Sequence, residues 1–139
     1  MFASSPNAYK QIGQDADILG ADPHRLIVLL FDGADAALLK ARACLEQKDI
    51  RGRSDALIKA IDIISHGLAD SLNLEHGGDL AKNLSALYEY MVSRLIYANI
   101  HQDERAITEV QKLLGEIGGA WREMGDNLRK QAAAGGPKP

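Results

Sequence analysis

The segment at residues 104–130, ERAITEVQKLLGEIGGAWREMGDNLRK, decides the architecture. Its apolar residues Ile107, Val110, Leu114, Ile117, Trp121, Met124 and Leu128 recur at alternating steps of three and four. At about 100° per residue they fall on one helical face. Glu104, Glu109, Lys112, Glu116, Arg122 and Asp126 occupy the polar remainder. A helix with one apolar face needs neighbours to bury it, and the chain upstream supplies three with the same period. The first shows Ile27, Phe31, Ala34, Leu38, Ala41 and Leu45; the second Leu57, Ile61, Ile64, Leu68 and Leu72; the third Leu84, Tyr88, Met91, Leu95 and Ala98. Four such stripes facing inward predict an all-α, antiparallel, up-down-up-down four-helix bundle.

Breakers at Gly20 to Pro23, Asp49 to Ser54, Asn73 to Gly78 and His101 to Asp103 separate the helices. These joints are short, so successive helices run antiparallel. Asp22 before Pro23 reads as a cap and first helical residue, because a carboxylate accepts an orphan N–H and proline lacks one. Ser54 and Asp103 are the expected caps of the second and fourth helices. Gly77-Gly78 supplies the freedom to end the second helix and turn the chain. The expected organisation is a mobile N-terminal segment at 1–20, a bundle at 21–130 and a disordered tail at 131–139, the last on its Ala/Gly/Pro/Lys content.

A chain of 139 residues accommodates one domain able to bury its own core. Cys44 is the only cysteine, so no intramolecular disulfide forms, which suits a reducing compartment; it reads as a small core residue. The N-terminus lacks the basic and apolar regions of a signal peptide, and no run approaches the ~18 apolar residues of a membrane span. Cytoplasmic residence without membrane insertion is the expectation. Sixteen basic and 19 acidic residues are interspersed, giving −3 overall. No basic stripe with interleaved aromatics is present to neutralise phosphates, which argues against nucleic acid as a partner.

More apolar surface is available than one bundle interior needs. The third helix carries Tyr90 and Tyr97 seven residues apart, with Asn83 in register, roughly 120° from its core stripe. Val92 and Ile96 lie on its other flank. The second helix adds Ala60, Ile63 and Leu74 on one side and Ile58 on the other. Any one of these residues could simply broaden the core. As a set on adjacent helices they suit a groove for a partner helix, which Phe2, Tyr9 and Ile12 could cover when the partner is absent.

Signatures of catalysis and of cofactors are missing. There is no Glu-x-x-His or His-Glu-x-x-His spacing for a metal and no phosphate-cradling glycine loop. Gly118-Gly119 reads as close packing or a kink. An enzyme is therefore not expected, nor a cofactor. One alternative comes from His66, mid-helix and followed by Gly67: histidine phosphotransfer domains are also four-helix bundles. Leu68 and Ala69 follow, however, without the lysine those domains place beside the histidine.

Several stretches together resemble the FliS family of flagellin chaperones over nearly the whole chain. Tyr9 stands in an Ala-Tyr context. Asp22-Pro23-His24-Arg25-Leu26-Ile27 followed by Leu30-Phe31-Asp32-Gly33 is similar to the family's first-helix signature, with Asp22 replacing serine and preserving the acceptor. Lys59-Ala60 through Ile64, Leu68 and Ser71-Leu72 resemble its second helix. The most specific stretch runs from Gly77-Gly78-Asp79-Leu80-Ala81-Lys82-Asn83-Leu84 to Leu87-Tyr88-Glu89-Tyr90-Met91. Ala98-Asn99, Glu109-Val110, Leu113-Leu114 and Trp121 extend it. Pro6 stands where the family often has an apolar residue, and Gly118-Gly119 is more glycine-rich than its fourth helix.

The resemblance implies a chaperone that holds the disordered C-terminal segment of flagellin in the cytoplasm, prevents early polymerisation and delivers it to the flagellar export gate. It further implies that this segment wraps the bundle as short helices, folding as it binds. On matching helical positions the expected contacts are Ile58 and Ile63 on the second helix and Leu80, Leu87 and Tyr90 on the third. Asn83 and Asn99 would bond partner backbone or their own chain, and Tyr9 and Ile12 would shield the groove. Asp32 is expected to tie helices together.

Overall fold

In the computed structural model the described residues are 23–135. They form four helices: α1 (Pro23–Glu46), α2 (Ile50–Asp62, continuing without a break as a π-helix over Ile63–Ala69), α3 (Gly78–His101) and α4 (Glu104–Gly135). No strand occurs among the described residues. The helices form an antiparallel up-down-up-down bundle in which α1 packs on α2 and α4, and α3 packs on the same two. Leu38, Leu57, Ile64, Leu68, Met91, Leu95, Ile107 and Val110 make its fully buried axis. Ala34, Ala41, Ala60, Ala98 and Ala106 are also wholly buried, which lets the backbones approach closely. Cys44 is buried, as its place beside the α1 stripe predicts.

Two of the joints close without glycine. At the end of α1, Lys48 takes a left-handed φ of 59°, Asp49 N–H bonds the Cys44 carbonyl at 2.8 Å and Lys48 N–H bonds that of Leu45 at 3.1 Å. This is a Schellman closure, which satisfies carbonyls left over at a helix end. Gln102 (φ 55°) ends α3 similarly, with Asp103 N–H on the Ala98 carbonyl at 3.1 Å. The Asp103 carboxylate then accepts from Arg105 N–H at 3.0 Å, in its expected capping role.

Ser54 does not cap the second helix. Asp49 does, accepting from Gly52 N–H at 2.9 Å, so α2 begins at Ile50. A β-carbon at Gly52 would lie 2.4 Å from the Asp49 carboxylate and 2.8 Å from Cys44 Sγ, so only glycine fits inside this turn. The regular part of the second helix also ends earlier than the glycine pair suggested, at Ala69. Gly77 and Gly78 instead open α3, Gly78 with a φ of 61°.

At its C-terminal end α4 runs through residues 131–135, which are helical and, from Gln131 to Ala134, exposed. Its apolar face is also not closed along its whole length. Ile107, Val110 and Leu114 are buried and Ile117 and Trp121 partly so, but Met124 is 43% and Leu128 57% exposed. The reason lies in α1, whose second residue, His24, is level with Trp121 and Gly125, so α4 continues past the point where described α1 residues can cover it. His24 and Trp121 stack with ring centroids 5.0 Å apart. Trp121 Nε1–H donates to the His24 carbonyl at 3.2 Å, and His24 Nε2–H donates to the Trp121 carbonyl at 2.6 Å. Gly118 packs against Phe31, as close packing predicts, whereas Gly119 meets nothing within 4 Å.

Polar contacts stitch the same pair of helices. Asp32 pairs with Arg122, and Arg42 reaches Glu104 at 3.2 Å and Gln111 at 3.1 Å. Asp32 thus ties helices together, as expected, through a solvent-screened pair of modest strength.

Candidate functional site

Two open cavities with largely apolar linings lie along the seam between α2 and α3. Near the C-terminal end of α3, Leu57, Ile58, Ile61, Ile96, Asn99 and Ile100 line a cavity of about 270 Å³. Further along the same seam, Ser65, Ala69, Tyr88, Glu89, Val92 and Ser93 line a second, of about 290 Å³. Ile61 and Ser65 lie one turn apart, as do Val92 and Ile96, so the two cavities are successive parts of one groove. Its α3 wall follows the spacing Val92, Ile96, Ile100, with Ile96 48% and Ile100 69% exposed. On the other wall the helix changes from α to π at Ile63. A π turn holds more residues than an α turn, so it resets which side chains face each neighbour.

One end of the groove is anchored by Arg53. Its guanidinium is buried and donates from Nε to the Asn99 side-chain oxygen at 3.1 Å and from Nη2 to the Asn99 carbonyl at 3.3 Å. Asn99 belongs to the last turn of α3, where the helix dipole favours a cation. Ser54 Oγ donates to the same Asn99 oxygen at 3.0 Å. Asn99 therefore bonds its own chain, and its acceptor is engaged by two α2 side chains.

The other expected contacts divide. Ile58 lines the groove, half-buried. Ile63 does not: it is 4% exposed and points at α1, where a β-carbon on Gly33 would touch its Cδ1 at 3.4 Å. It joins Ala56 and Ala60 in filling the α1–α2 seam, because α2 is flanked by a neighbour on that side. Leu80, Asn83, Leu87 and Tyr90 lie roughly 120–180° around α3 from Val92, on the flank toward α4. Leu80, Asn83 and Tyr90 are exposed, and Leu87 is partly buried against the core. Tyr9 and Ile12 lie outside the described residues. Val92 and Ile96 were legible as a second flank of α3, but Ile61 was read as core alone and Ile100 was missed. The four-residue repeat 92, 96, 100 is the signal that finds it.

The tyrosine flank of α3 is polar in character. Tyr90 OH donates to Glu109 Oε2 at 2.6 Å and Arg94 Nε to Glu109 Oε1 at 2.7 Å. Arg94 also sits over the Tyr97 ring, 4.9 Å from its centroid. The Tyr90 hydrogen bond, followed by that of Arg94, holds the Glu109 carboxyl below its ordinary value, and the same bond raises the Tyr90 phenol. In the groove, burial pushes the Tyr88 phenol up to about 12. His66 is exposed on the π-helix, 3.7 Å from Asp70. No group of three His, Cys, Asp or Glu residues among the described residues is placed to hold a metal. No helix among them is long and apolar enough to cross a membrane.

The sequence model of the family described as "Flagellar protein FliS" matches residues 5–128. The chain is 48% identical over 122 residues to the flagellar secretion chaperone FliS of Salmonella typhimurium, covering 88% of this chain and 90% of that protein. It is 40% identical over 121 residues to the protein of the same name from Escherichia coli K12, covering 87% and 89%. The Bacillus subtilis flagellar secretion chaperone FliS is 28% identical over 123 residues, covering 88% and 90%. On a match that covers the first three helices and most of α4, the chain belongs to the FliS family of flagellar proteins.

Proposed function

We propose that this protein is a flagellar secretion chaperone that receives the disordered C-terminal segment of flagellin as an amphipathic helix in the α2–α3 groove. The groove is the observation that carries this reading: Ile58, Ile61, Val92, Ile96 and Ile100 offer one client helix a continuous apolar strip. Helix-in-groove recognition requires such a strip. A segment long enough to wrap the bundle would also pass the opposite flank of α3, where Leu80, Asn83, Leu87 and Tyr90 are its contacts.

The client loses conformational entropy on ordering, which offsets part of the contact energy and keeps the complex releasable. Covering these residues in the cytoplasm would stop flagellin polymerising early, and release would occur at the export gate. Binding, with no reaction catalysed, is the whole of this activity. Tyr9 and Ile12 remain candidates to shield the groove in the free protein. Calorimetric titration of the full chain with the C-terminal segment of the host's flagellin, and separately with its N-terminal segment, tests the reading. Saturable 1:1 binding of the C-terminal segment alone is expected. Absence of heat with it, or equal binding of both, refutes it.

A further inference from the structure

A second site lies at the opposite side of the molecule, where α4 outruns α1. His24, Gly125, Leu128, Arg129 and Ala132 bound a cavity of about 180 Å³, and Leu128 is more than half exposed at its edge. A β-carbon at Gly125 would fall 2.1 Å from the His24 ring, so the imidazole lies directly on the α4 backbone. Its Nε2–H is committed to the Trp121 carbonyl. Nδ1 is buried and has no hydrogen-bond partner among the described residues. Because Nε2 carries the proton, Nδ1 of the neutral ring is an acceptor that needs an N–H, and leaving it buried without one is costly.

We propose that the residues just before Pro23 dock here, with Ile18 and Leu19 against Leu128 and Ala132 and a backbone N–H of Gly20 or Ala21 on His24 Nδ1. The chain enters α1 at Pro23, next to this cavity. Leu19 is four residues away, a reach of about 13–14 Å when extended, which exceeds the ~6 Å from residue 128 to 132 along α4. Ile18 and Leu19 are the apolar pair within that reach. A cavity bounded by five residues is much smaller than the roughly 20–30 residues a side of a stable protein interface. A tethered segment needs no such extent, since its effective concentration is of millimolar order. The N-terminal segment would then be fastened at residues 18–21, on the α1–α4 side, whatever its earlier residues do at the α2–α3 groove.

Two measurements on the full chain test this. In the first, Leu19→Ala and Leu128→Ala are melted singly and together: each single change should lower Tm, and the double change should lower it no further than the larger single one. Additive losses, or no loss from Leu19→Ala, overturn the proposal. In the second, Leu19→Cys with Leu128→Cys in a Cys44→Ser background should oxidise to an internally crosslinked monomer, whereas Phe2→Cys with Leu128→Cys should not. A crosslinked dimer would place a second copy on this surface, and absence of crosslinking would leave it without Leu19; either result overturns the proposal.

Discussion

Ile96 and Leu95 are adjacent in sequence and opposite in consequence. Leu95 is fully buried in the bundle axis, whereas Ile96 is 48% exposed and lines the α2–α3 cavity. Full burial of an isoleucine is worth about 1.5–3 kcal/mol, so the half still exposed leaves about 1 kcal/mol for a client to gain. Ile96→Asp removes that gain and places a carboxylate under the client helix, where an unpaired polar group costs on the order of 1–3 kcal/mol. The sum, about 2–4 kcal/mol, corresponds to a roughly 30- to 700-fold weaker Kd for the flagellin C-terminal segment. The free protein should scarcely notice, because the new carboxylate remains hydrated. Leu95→Ala is the contrast: about 2–5 kcal/mol of stability is lost to the cavity, on the order of 10–30 °C in Tm for a bundle of this size. Calorimetric titration and thermal melts of both variants separate the cases. The reasoning fails if Ile96→Asp binds the segment like wild type, or if it melts as early as Leu95→Ala.

Three further outcomes follow from the geometry. Trp121→Ala removes a part-buried ring, its stacking on His24 and one hydrogen bond, and should cost about 2–3 kcal/mol, less than a fully buried tryptophan, as read by urea titration. The Glu109 carboxyl is depressed in the folded state, so it stabilises the fold above the ordinary glutamate range, and that contribution fades as pH falls through the lowered folded value. Carbon-detected NMR titration should place Glu109 below an ordinary glutamate and show it rising in Tyr90→Phe. Incubation with a phosphorylated receiver domain should label neither wild type nor His66→Gln; labelling of wild type alone would revive a phosphotransfer role.

The bundle was legible because its evidence is periodic. Stripes such as Leu57, Ile61, Ile64, Leu68 report burial directly, and Asp103 and Pro23 mark helix starts by their chemistry. What escaped depends on neighbours. Lys48 and Gln102 turn the chain in left-handed conformations that glycine would have advertised. The cap at Asp49 was overlooked because Gly52, inside the first turn, looked like a breaker. The π-helix at Ile63–Ala69 has no compositional mark. For the site, an angle around one helix reveals that a flank is apolar but not which neighbour covers it. Ile63 and Ile58 were equivalent on that measure, yet α1 covers Ile63 and nothing covers the groove side of Ile58 as completely. Tyr90 was read as an apolar groove contact, whereas Glu109, 19 residues away on another helix, makes its flank polar.

The central claim is that the C-terminal segment of flagellin lies between α2 and α3. Isoleucine δ1-methyl NMR on the full chain, with unlabelled segment added to saturation, examines it most directly, because isoleucines occur both in the groove and in the core. Contacts from the segment to the methyls of Ile58, Ile61, Ile96 and Ile100, with none to Ile63, Ile64 or Ile107, are the predicted result. Contacts confined to other parts of the bundle surface, with the four groove methyls unmoved, would contradict it.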